Sequence, residues 1–194
     1  MSELLFEIGT EEIPASYIEP ALEDFSGALR ELLSENRLQA ESVQVGGTPR
    51  RLTVHADGVP SHQPAAREEV VGPPAAVAFD EDDVPTNAAK GFARSQGVDV
   101  DDLEIKETDK GPYVMAAVEH EGEAALYMLP GVLREAVGAI GFPKSMRWPS
   151  PDQQEAGTSV EVQFARPIRW LVALLDEEVI PVELAGLTAG RRTY

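Results

Sequence analysis

The sequence predicts an α+β fold with mixed, mainly antiparallel sheets and three amphipathic helices, in one domain or two small subdomains. Strand-like and helix-like segments follow one another irregularly, unlike the regular alternation of a doubly wound fold. Residues 42–59 carry alternating apolar positions and the turn GGTP, which indicates two short strands in a hairpin. The chain has 194 residues, 43% of them hydrophobic, and is long enough to bury a core.

Residues 1–60 are expected to form a strand–helix–hairpin unit. ELLFEI, at Glu3–Ile8, is a short apolar run typical of a buried strand. Ser16 and Glu19 have capping-box spacing and predict the start of a helix, whose apolar residues recur three and four apart to about residue 38. Pro20 is compatible with this helix because it then lies in the first turn.

Residues 61–84 are rich in proline and acidic side chains and are expected to form a linker or loop, with residues 80–83 at a turn tip.

Residues 85–194 are expected to form a second α+β unit. The predicted elements are a helix opened by Pro85 and Thr86 and ended at Gly97, a strand in 109–122, a helix over 123–140 that Pro130 bends or splits, and strands near 160–164, 168–175 and 179–184. The last residues offer neither a helix stop nor a closing strand, so we expect the chain to belong to a longer polypeptide.

Composition narrows the possible functions. The chain has no cysteine, which excludes disulfides, zinc–thiolate sites and thiol nucleophiles. No apolar run reaches the roughly 18 residues of a membrane span. The N-terminus lacks the basic region of a signal peptide, so we expect a cytoplasmic protein without membrane contact. The acid-rich, lysine-poor composition also suggests a salt-rich cytoplasm, a hypothesis under which stability rises between low and molar salt.

Charge is distributed unevenly along the chain. The formal net charge is −18, from 34 acidic and 16 basic residues. Residues 144–194 are nearly neutral, with six basic and seven acidic side chains, so almost all of the negative charge precedes them. A strongly negative surface repels nucleic acid. Any RNA contact is therefore expected to be local and to use the C-terminal third.

The sequence shows no self-contained active site. It contains no nucleophile elbow, phosphate-binding glycine loop or paired-histidine metal motif. Glu11 and Glu12 are neighbours whose side chains should point apart, so we interpret them as turn residues rather than a ligand pair. We predict no catalytic residue, metal or cofactor in this chain. An independent hydrolase or metal enzyme is the weakest hypothesis, and stoichiometric metal in the pure protein would revive it.

Arginine and tryptophan occur together twice in the near-neutral part of the chain, as MRW and IRW. Guanidinium groups match phosphate oxygens, and indole or guanidinium planes stack on bases. Two further arginines follow the GGTP hairpin turn. The candidate contacts to RNA or to a protein partner are Arg50, Arg51, Lys144, Arg147, Arg166 and Arg169.

The strand predicted at 168–175 supports a more specific expectation. Trp170, Val172 and Leu174 share one of its faces, and Arg169 and Leu171 share the other. Because tryptophan in a strand usually belongs to a core, we expect Trp170 to be packed. Arg169 should lie opposite it or pair with a carboxylate.

Six motifs occur together in one order: LLFEIGTEEIP, TPRRL, the GPP…AFD…PTNAAKGFAR run, KGPY, PKSMRW and FARPIRWLVALL. Through these motifs, which extend over nearly the whole chain, it resembles the N-terminal part of the beta subunit of bacterial tetrameric glycyl-tRNA synthetase. One departure is the longer segment between MRW and FARP. It begins with Pro149 and Pro151 and predicts an extended loop.

The resemblance implies an α2β2 enzyme whose alpha subunit holds the class II catalytic core and makes glycyl-adenylate from glycine and ATP, with magnesium. The beta subunit is implied to be needed for charging, to bind tRNA(Gly), and to continue with an HD-like domain and an anticodon-binding region. The expected partners are the alpha subunit, tRNA(Gly) and the remainder of the beta subunit. No catalytic residue carries over to this chain, which alone is expected to lack activity.

Two hypotheses remain for the region of arginines and tryptophans. If it braces RNA, tRNA affinity should fall with salt and on loss of Arg147, Arg166 or Arg169. If it is a seam between subunits or domains, the same substitutions should weaken assembly and leave tRNA affinity unchanged.

Overall fold

The computed structural model describes residues 1–80, 84–148 and 162–194. The loop predicted after Trp148 and most of the turn tip predicted at 80–83 lie outside the described residues. The strands are β1 (Ser2–Thr10), β2 (Ser42–Thr48), β3 (Arg51–Val59), β4 (Ala66–Pro74), β5 (Glu104–Thr108), β6 (Gly111–His120), β7 (Met146–Trp148), β8 (Val162–Phe164), β9 (Ile168–Leu175), β10 (Glu178–Val179), β11 (Glu183–Leu184) and β12 (Leu187–Thr188). The helices are α1 (Ala15–Glu35), α2 (Ala75–Ala78), α3 (Asn87–Gln96) and α4 (Ala125–Gly138).

The chain divides into two compact units. Unit 1 comprises Met1–Pro64 and Glu123–Tyr194, and unit 2 comprises Ala65–Gly122. This grouping differs from the sequence-based division, which places residues 85–194 together. The physical reason is that β9 pairs with β1, so the two ends of the sequence share one sheet.

Unit 1 is built on a five-stranded antiparallel sheet in the order β10-β9-β1-β3-β2. β1 lies at its centre, where Phe6 pairs with Val54 of β3 on one side and with Ala173 of β9 on the other. The turn between β2 and β3 contains only Pro49 and Arg50, because Thr48 already pairs with Arg51. The hairpin predicted from the sequence is therefore confirmed.

The core of unit 1 lies on one face of this sheet. Phe6 of β1 and Ala173 of β9 point into it, together with Phe25 of α1 and Leu133 of α4. The rings of Phe6 and Phe25 meet edge to face at 6.1 Å. Burial of each large apolar side chain contributes about 1.5–3 kcal/mol. The opposite face of the sheet is consequently the one available for polar side chains, since successive residues of a strand alternate.

Helix α1 begins and ends differently from the prediction. Its N-cap is Pro14, with no side-chain hydrogen bond, so the capping box predicted at Ser16 is wrong. Pro20 therefore lies within the helix rather than in its first turn, and leaves the carbonyl of Ser16 without its usual backbone donor. The helix ends at Glu35, because Arg37 takes a left-handed backbone with φ 53°.

The remaining elements of unit 1 are short. β7 pairs with β8, and Phe164 of β8 meets the ring of Phe142 edge to face at 4.8 Å. The strand predicted over 179–184 is instead two pieces, β10 and β11, separated by Pro181, which cannot donate to a ladder. Helix α4 is continuous across Pro130.

Unit 2 has a three-stranded antiparallel sheet in the order β4-β6-β5, with α2 and α3. The side chain of Thr86 caps α3 by accepting a hydrogen bond from Ala88 N at 3.2 Å, and Gly97 ends it with φ 73°. The helix predicted here is confirmed. β4 falls within residues 61–84, where the sequence suggested a linker or loop, and β5 was not predicted.

These sheets and helices confirm the predicted α+β class with antiparallel pairing. Among the described residues, no helix combines the length and the apolar character needed to cross a membrane.

Candidate functional site

Four of the predicted contact residues converge at one end of the main sheet of unit 1. The end of β1 and the residue that follows it are held there between two turns. Its backbone donates from Thr10 N to Arg50 O at 2.9 Å and from Glu11 N to Pro167 O at 3.2 Å. We call this surface the arginine end and define it by Arg50, Arg51, Arg166 and Arg169 with Glu7, Glu11 and Glu12.

Gly9 is the point at which the strands of the arginine end come closest. It pairs with Arg51 of β3 and with Trp170 of β9. A Cβ atom on Gly9 would lie 1.9 Å from Trp170 Cε2, so the indole covers the glycine backbone. The Arg51 guanidinium carbon lies 5.9 Å from the centre of the indole ring, within the range of a cation–π contact.

Glu7 is the buried acidic residue of this surface, with 8% of its area exposed. Its Oε1 accepts hydrogen bonds from Trp170 Nε1 at 2.7 Å and from the Thr193 hydroxyl at 2.6 Å. Its Oε2 lies 3.3 Å from Arg51 Nε, which is buried without a hydrogen bond, so this contact is a charge pair. Arg51 also donates from Nη2 to Tyr194 O at 3.3 Å. Arg51 is therefore committed to contacts within the chain.

Arg166 and Arg169 bind the segment after β1. Arg166 donates from Nε to Glu12 O at 2.9 Å and from Nη1 to Ala165 O at 3.2 Å. Arg169 forms an exposed ion pair with the Glu11 carboxylate. The prediction that Arg169 pairs with a carboxylate is confirmed. Exposed ion pairs typically contribute about 0–1 kcal/mol, so this one can exchange partners at little cost.

Arg50 differs from the other three arginines. It lies in the exposed two-residue turn, and only its backbone is engaged, with Arg50 N donating to Thr48 Oγ1 at 3.4 Å. Its guanidinium has no hydrogen bond or ion pair with any residue that the structure describes. It is therefore available to an external anion.

The other two predicted contact residues lie away from this cluster along the chain. Lys144 is exposed in the bend before β7, and Arg147 is exposed on β7, where it pairs in register with Gln163 of β8. Neither belongs to the arginine end.

Trp170 lies on the face of β9 that was predicted to pack, but the core of unit 1 is on the other face. The residues of β9 that enter the core are Leu171, Ala173 and Leu175, whereas Trp170 is half-buried on the other face beside Glu7. The prediction that Trp170 belongs to the core is therefore wrong. Both faces of β9 are apolar, so alternation alone could not identify the buried one.

Sequence reasoning assigned no contact role to Gly9, Glu7 or Thr193. Glu7 had a usable signal, since it is a charged residue within the apolar run of β1. Gly9 lies outside the apolar run Glu3–Ile8 from which that strand was predicted. Thr193 had no local signal, because its partner lies at the other end of the sequence.

A second polar cluster lies on β1 and β3. Ligand atoms of Glu3, His55 and Asp57 all come within 4.8 Å of one another, and this is the one such group of three among the described residues. Asp57 also accepts a hydrogen bond from the Ser42 hydroxyl at 3.0 Å. All three side chains are at least partly exposed, and we assign this open surface cluster no metal role.

Comparison with known proteins identifies a family. Residues 4–194 match the family model described as Glycyl-tRNA synthetase beta subunit. The chain is 48% identical over 192 residues to the glycine--tRNA ligase beta subunit of Moorella thermoacetica, a match that covers 99% of the chain and 26% of the relative. It is 45% identical to the same subunit of Syntrophotalea carbinolica, covering 100% of the chain and 27% of the relative.

The chain spans about a quarter of the length of the curated relatives it matches. The motifs GTEE and RPIRW, on which the resemblance rested, meet at the arginine end, where GTEE spans the end of β1 and RPIRW leads into β9. The match extends over both units, and on this evidence the chain belongs to the glycyl-tRNA synthetase beta subunit family.

Proposed function

We propose that this chain is the non-catalytic N-terminal part of a glycine--tRNA ligase beta subunit. It supports the ATP-dependent charging of tRNA(Gly) with glycine by contacting tRNA, the alpha subunit or both. The observation that carries this proposal is the family match over residues 4–194. Its relatives carry the name glycine--tRNA ligase beta subunit, which names the reaction and a subunit of the enzyme.

The proposed partners are the alpha subunit, tRNA(Gly) and the remainder of the beta subunit, in the cytoplasm. ATP and magnesium are proposed to act at the alpha subunit. That division of labour is what the resemblance to the family implies.

The arginine end and the separate residue Lys144 supply suitable contacts for RNA. Arg50 and Lys144 are exposed cations without a partner among the described residues. Arg166 and Arg169 add guanidinium groups that use only some of their five N–H donors. A few such groups can position an RNA backbone through its phosphates even on an acidic protein.

A purely structural role is the second candidate. Its support is the internal engagement of Arg51, Arg166 and Arg169, each of which contacts a carboxylate or a backbone carbonyl of the same unit. Such contacts fasten β1 to β3 and β9 and would shape a rigid surface for a protein neighbour. This role requires no RNA contact.

Binding measurements on the assembled alpha–beta ligase separate the two candidates. In the RNA role, Arg50→Ala weakens tRNA(Gly) binding about fivefold to tenfold, because a charge-assisted contact is lost. The slope of log affinity against log salt should also decrease by about one. Arg94→Ala, which removes an exposed arginine from α3 in unit 2, is the matched control.

Association of the beta subunit with the alpha subunit is the second measurement. In the structural role, neither Arg50→Ala nor the double variant Arg166→Ala/Arg169→Ala changes tRNA affinity. The double variant should instead weaken association with the alpha subunit. If neither tRNA affinity nor association changes in any of these variants, the proposed function of this surface is wrong.

A further inference from the structure

A cavity of about 310 Å³ lies in unit 1 beside the arginine end. It is bounded by the start of β9 and by the segment that follows β12. Gly190 fixes that segment, because its N–H donates to Leu171 O at 3.0 Å and its carbonyl accepts from Ala173 N at 3.2 Å. The principal lining side chains are Arg169, Trp170, Leu187, Arg191, Arg192 and Tyr194.

Two aromatic rings line this cavity. Trp170 and Tyr194 meet edge to face, with ring centres 6.1 Å apart and an angle of 70° between the ring planes. The indole is held in place by its hydrogen bond to Glu7 and by its position over Gly9. A positioned indole loses little freedom when a flat ligand stacks against it.

Three guanidinium groups line the same cavity, and none of its described lining residues is acidic. Arg169 is paired with Glu11, and Arg191 donates from Nη2 to Glu177 O at 2.8 Å. Arg192 has no hydrogen bond or ion pair with the described residues. Because a guanidinium carries five N–H donors, all three retain capacity for an anion. This local positive charge stands in a chain of net charge −18.

We infer that this cavity binds one unpaired ribonucleotide of an RNA strand. The base lies against Trp170 or Tyr194, and the neighbouring phosphates are bound by Arg192 with Arg191 and Arg169. Aromatic platforms beside arginines are the means by which proteins hold single-stranded nucleic acid. The volume is at the lower end of small-ligand sites, which fits one nucleotide rather than a helix. This inference rests on the tRNA-contacting form of the proposed function, in which the strand belongs to tRNA.

Fluorescence of Trp170 reports on this cavity directly. The chain has two tryptophans, so the Trp148→Phe variant leaves Trp170 as the sole indole. We expect single-stranded pentaadenylate and pentauridylate RNA to quench its emission saturably, and less at high salt. Inorganic phosphate and a pentaglutamate peptide at the same concentrations should not quench it.

Arg192 is the residue to replace, because its side chain makes no hydrogen bond or ion pair with the described residues. In the Trp148→Phe background, Arg192→Ala should raise the Kd for pentaadenylate about tenfold, as loss of a charge-assisted contact does. Arg94→Ala, in unit 2, should leave the Kd unchanged. Circular dichroism of each variant verifies that it is folded.

Three outcomes would overturn the inference: no quenching of the folded protein by RNA, an unchanged Kd in Arg192→Ala, or equal quenching by pentaglutamate. The last outcome would identify the cavity as a site for acidic peptides. Measurements of tRNA binding by the assembled ligase separate this failure from failure of the proposed function. If Arg50→Ala weakens tRNA binding and Arg192→Ala does not, the cavity assignment is wrong and the proposed function stands.

Discussion

The indole of Trp170 lies on the backbone of Gly9, so closely that a Cβ atom on the glycine would be 1.9 Å from Trp170 Cε2. The two residues are paired in neighbouring strands. They come from the motifs GTEE and RPIRW, which are far apart in the sequence. The glycine is needed because no other residue leaves room for the indole, and the indole in turn reaches Glu7.

Replacing Gly9 by alanine should therefore displace Trp170. We expect Gly9→Ala to lower the free energy of unfolding by about 1–3 kcal/mol, the usual effect of overpacking. Urea unfolding measures it. Gly27→Ala is the control, because a Cβ on this residue of α1 meets nothing within 4 Å. That substitution should instead stabilise the protein by about 0.5–1 kcal/mol. If Gly9→Ala and Gly27→Ala had equal unfolding free energies, the close packing of Trp170 on Gly9 would be contradicted.

The charge of Glu7 should matter more than its hydrogen bonds. Glu7→Gln keeps an oxygen for Trp170 and Thr193 but loses the charge opposite Arg51 Nε, which is buried. We expect a loss of about 1–3 kcal/mol in unfolding free energy, as when a buried charged partner is removed. Glu12→Gln, an exposed residue of the same surface, should change it by less than about 0.5 kcal/mol. If Glu7→Gln had the same unfolding free energy as the wild type, the charge pair between Glu7 and Arg51 would have no stabilising role.

Asp176 gives unit 1 a contribution to stability that depends on pH. The Glu3 backbone N–H donates to its carboxylate at 2.7 Å and holds the pKa of Asp176 below its ordinary value. A group whose pKa is lower in the folded state stabilises the fold above its unfolded pKa of about 3.9. This contribution is lost as pH falls through the lower, folded pKa.

Asp176→Asn tests this contribution, and asparagine tolerates the left-handed backbone at this position, where φ is 52°. The variant should be less stable than the wild type at pH 7, and the difference should shrink below about pH 4. Urea unfolding at several pH values measures it. A difference that is the same at all pH values would rule out the charged hydrogen bond as its cause.

The N-cap of α3 makes a prediction for unit 2. Thr86→Ala removes the hydroxyl that accepts from Ala88 N, and N-cap removal typically costs about 1 kcal/mol. Amide exchange of the first turn of α3 should accelerate accordingly, about fivefold. Ser95→Ala, near the other end of the same helix, should leave that exchange unchanged. If the amides in the first turn of α3 exchange at the same rate in both variants, the Thr86 cap does not stabilise the start of the helix.

Local chemistry explains which elements could be predicted. The start and end of α3 follow from Thr86 and Gly97, and β1 follows from its apolar run. The start of α1 could not be inferred, because Pro14 begins it without a side-chain cap. β5 was missed because EIKET is mostly polar, as befits a strand at the edge of its sheet.

The candidate site could be predicted only in part. Arginines 50, 51, 166 and 169 were identified by type, and pairing of Arg169 with a carboxylate was expected. Their assembly into one surface depends on the pairing of β1 with β9, which no local pattern reveals. The partners Glu7 and Thr193 come from opposite ends of the chain for the same reason.

Charging of tRNA(Gly) by the assembled alpha–beta ligase tests the central proposal most directly. The measurement is kcat/KM for tRNA in glycylation, compared with ATP–pyrophosphate exchange in the absence of tRNA. With Arg50→Ala and Lys144→Ala combined, we predict that kcat/KM for tRNA falls about 25-fold to 100-fold, because each lost contact lowers it about fivefold to tenfold. ATP–pyrophosphate exchange should be unchanged, because neither substitution alters the chemistry of adenylate formation. Unchanged glycylation, or an equal loss in exchange, would contradict the proposal that these residues support charging by contacting tRNA.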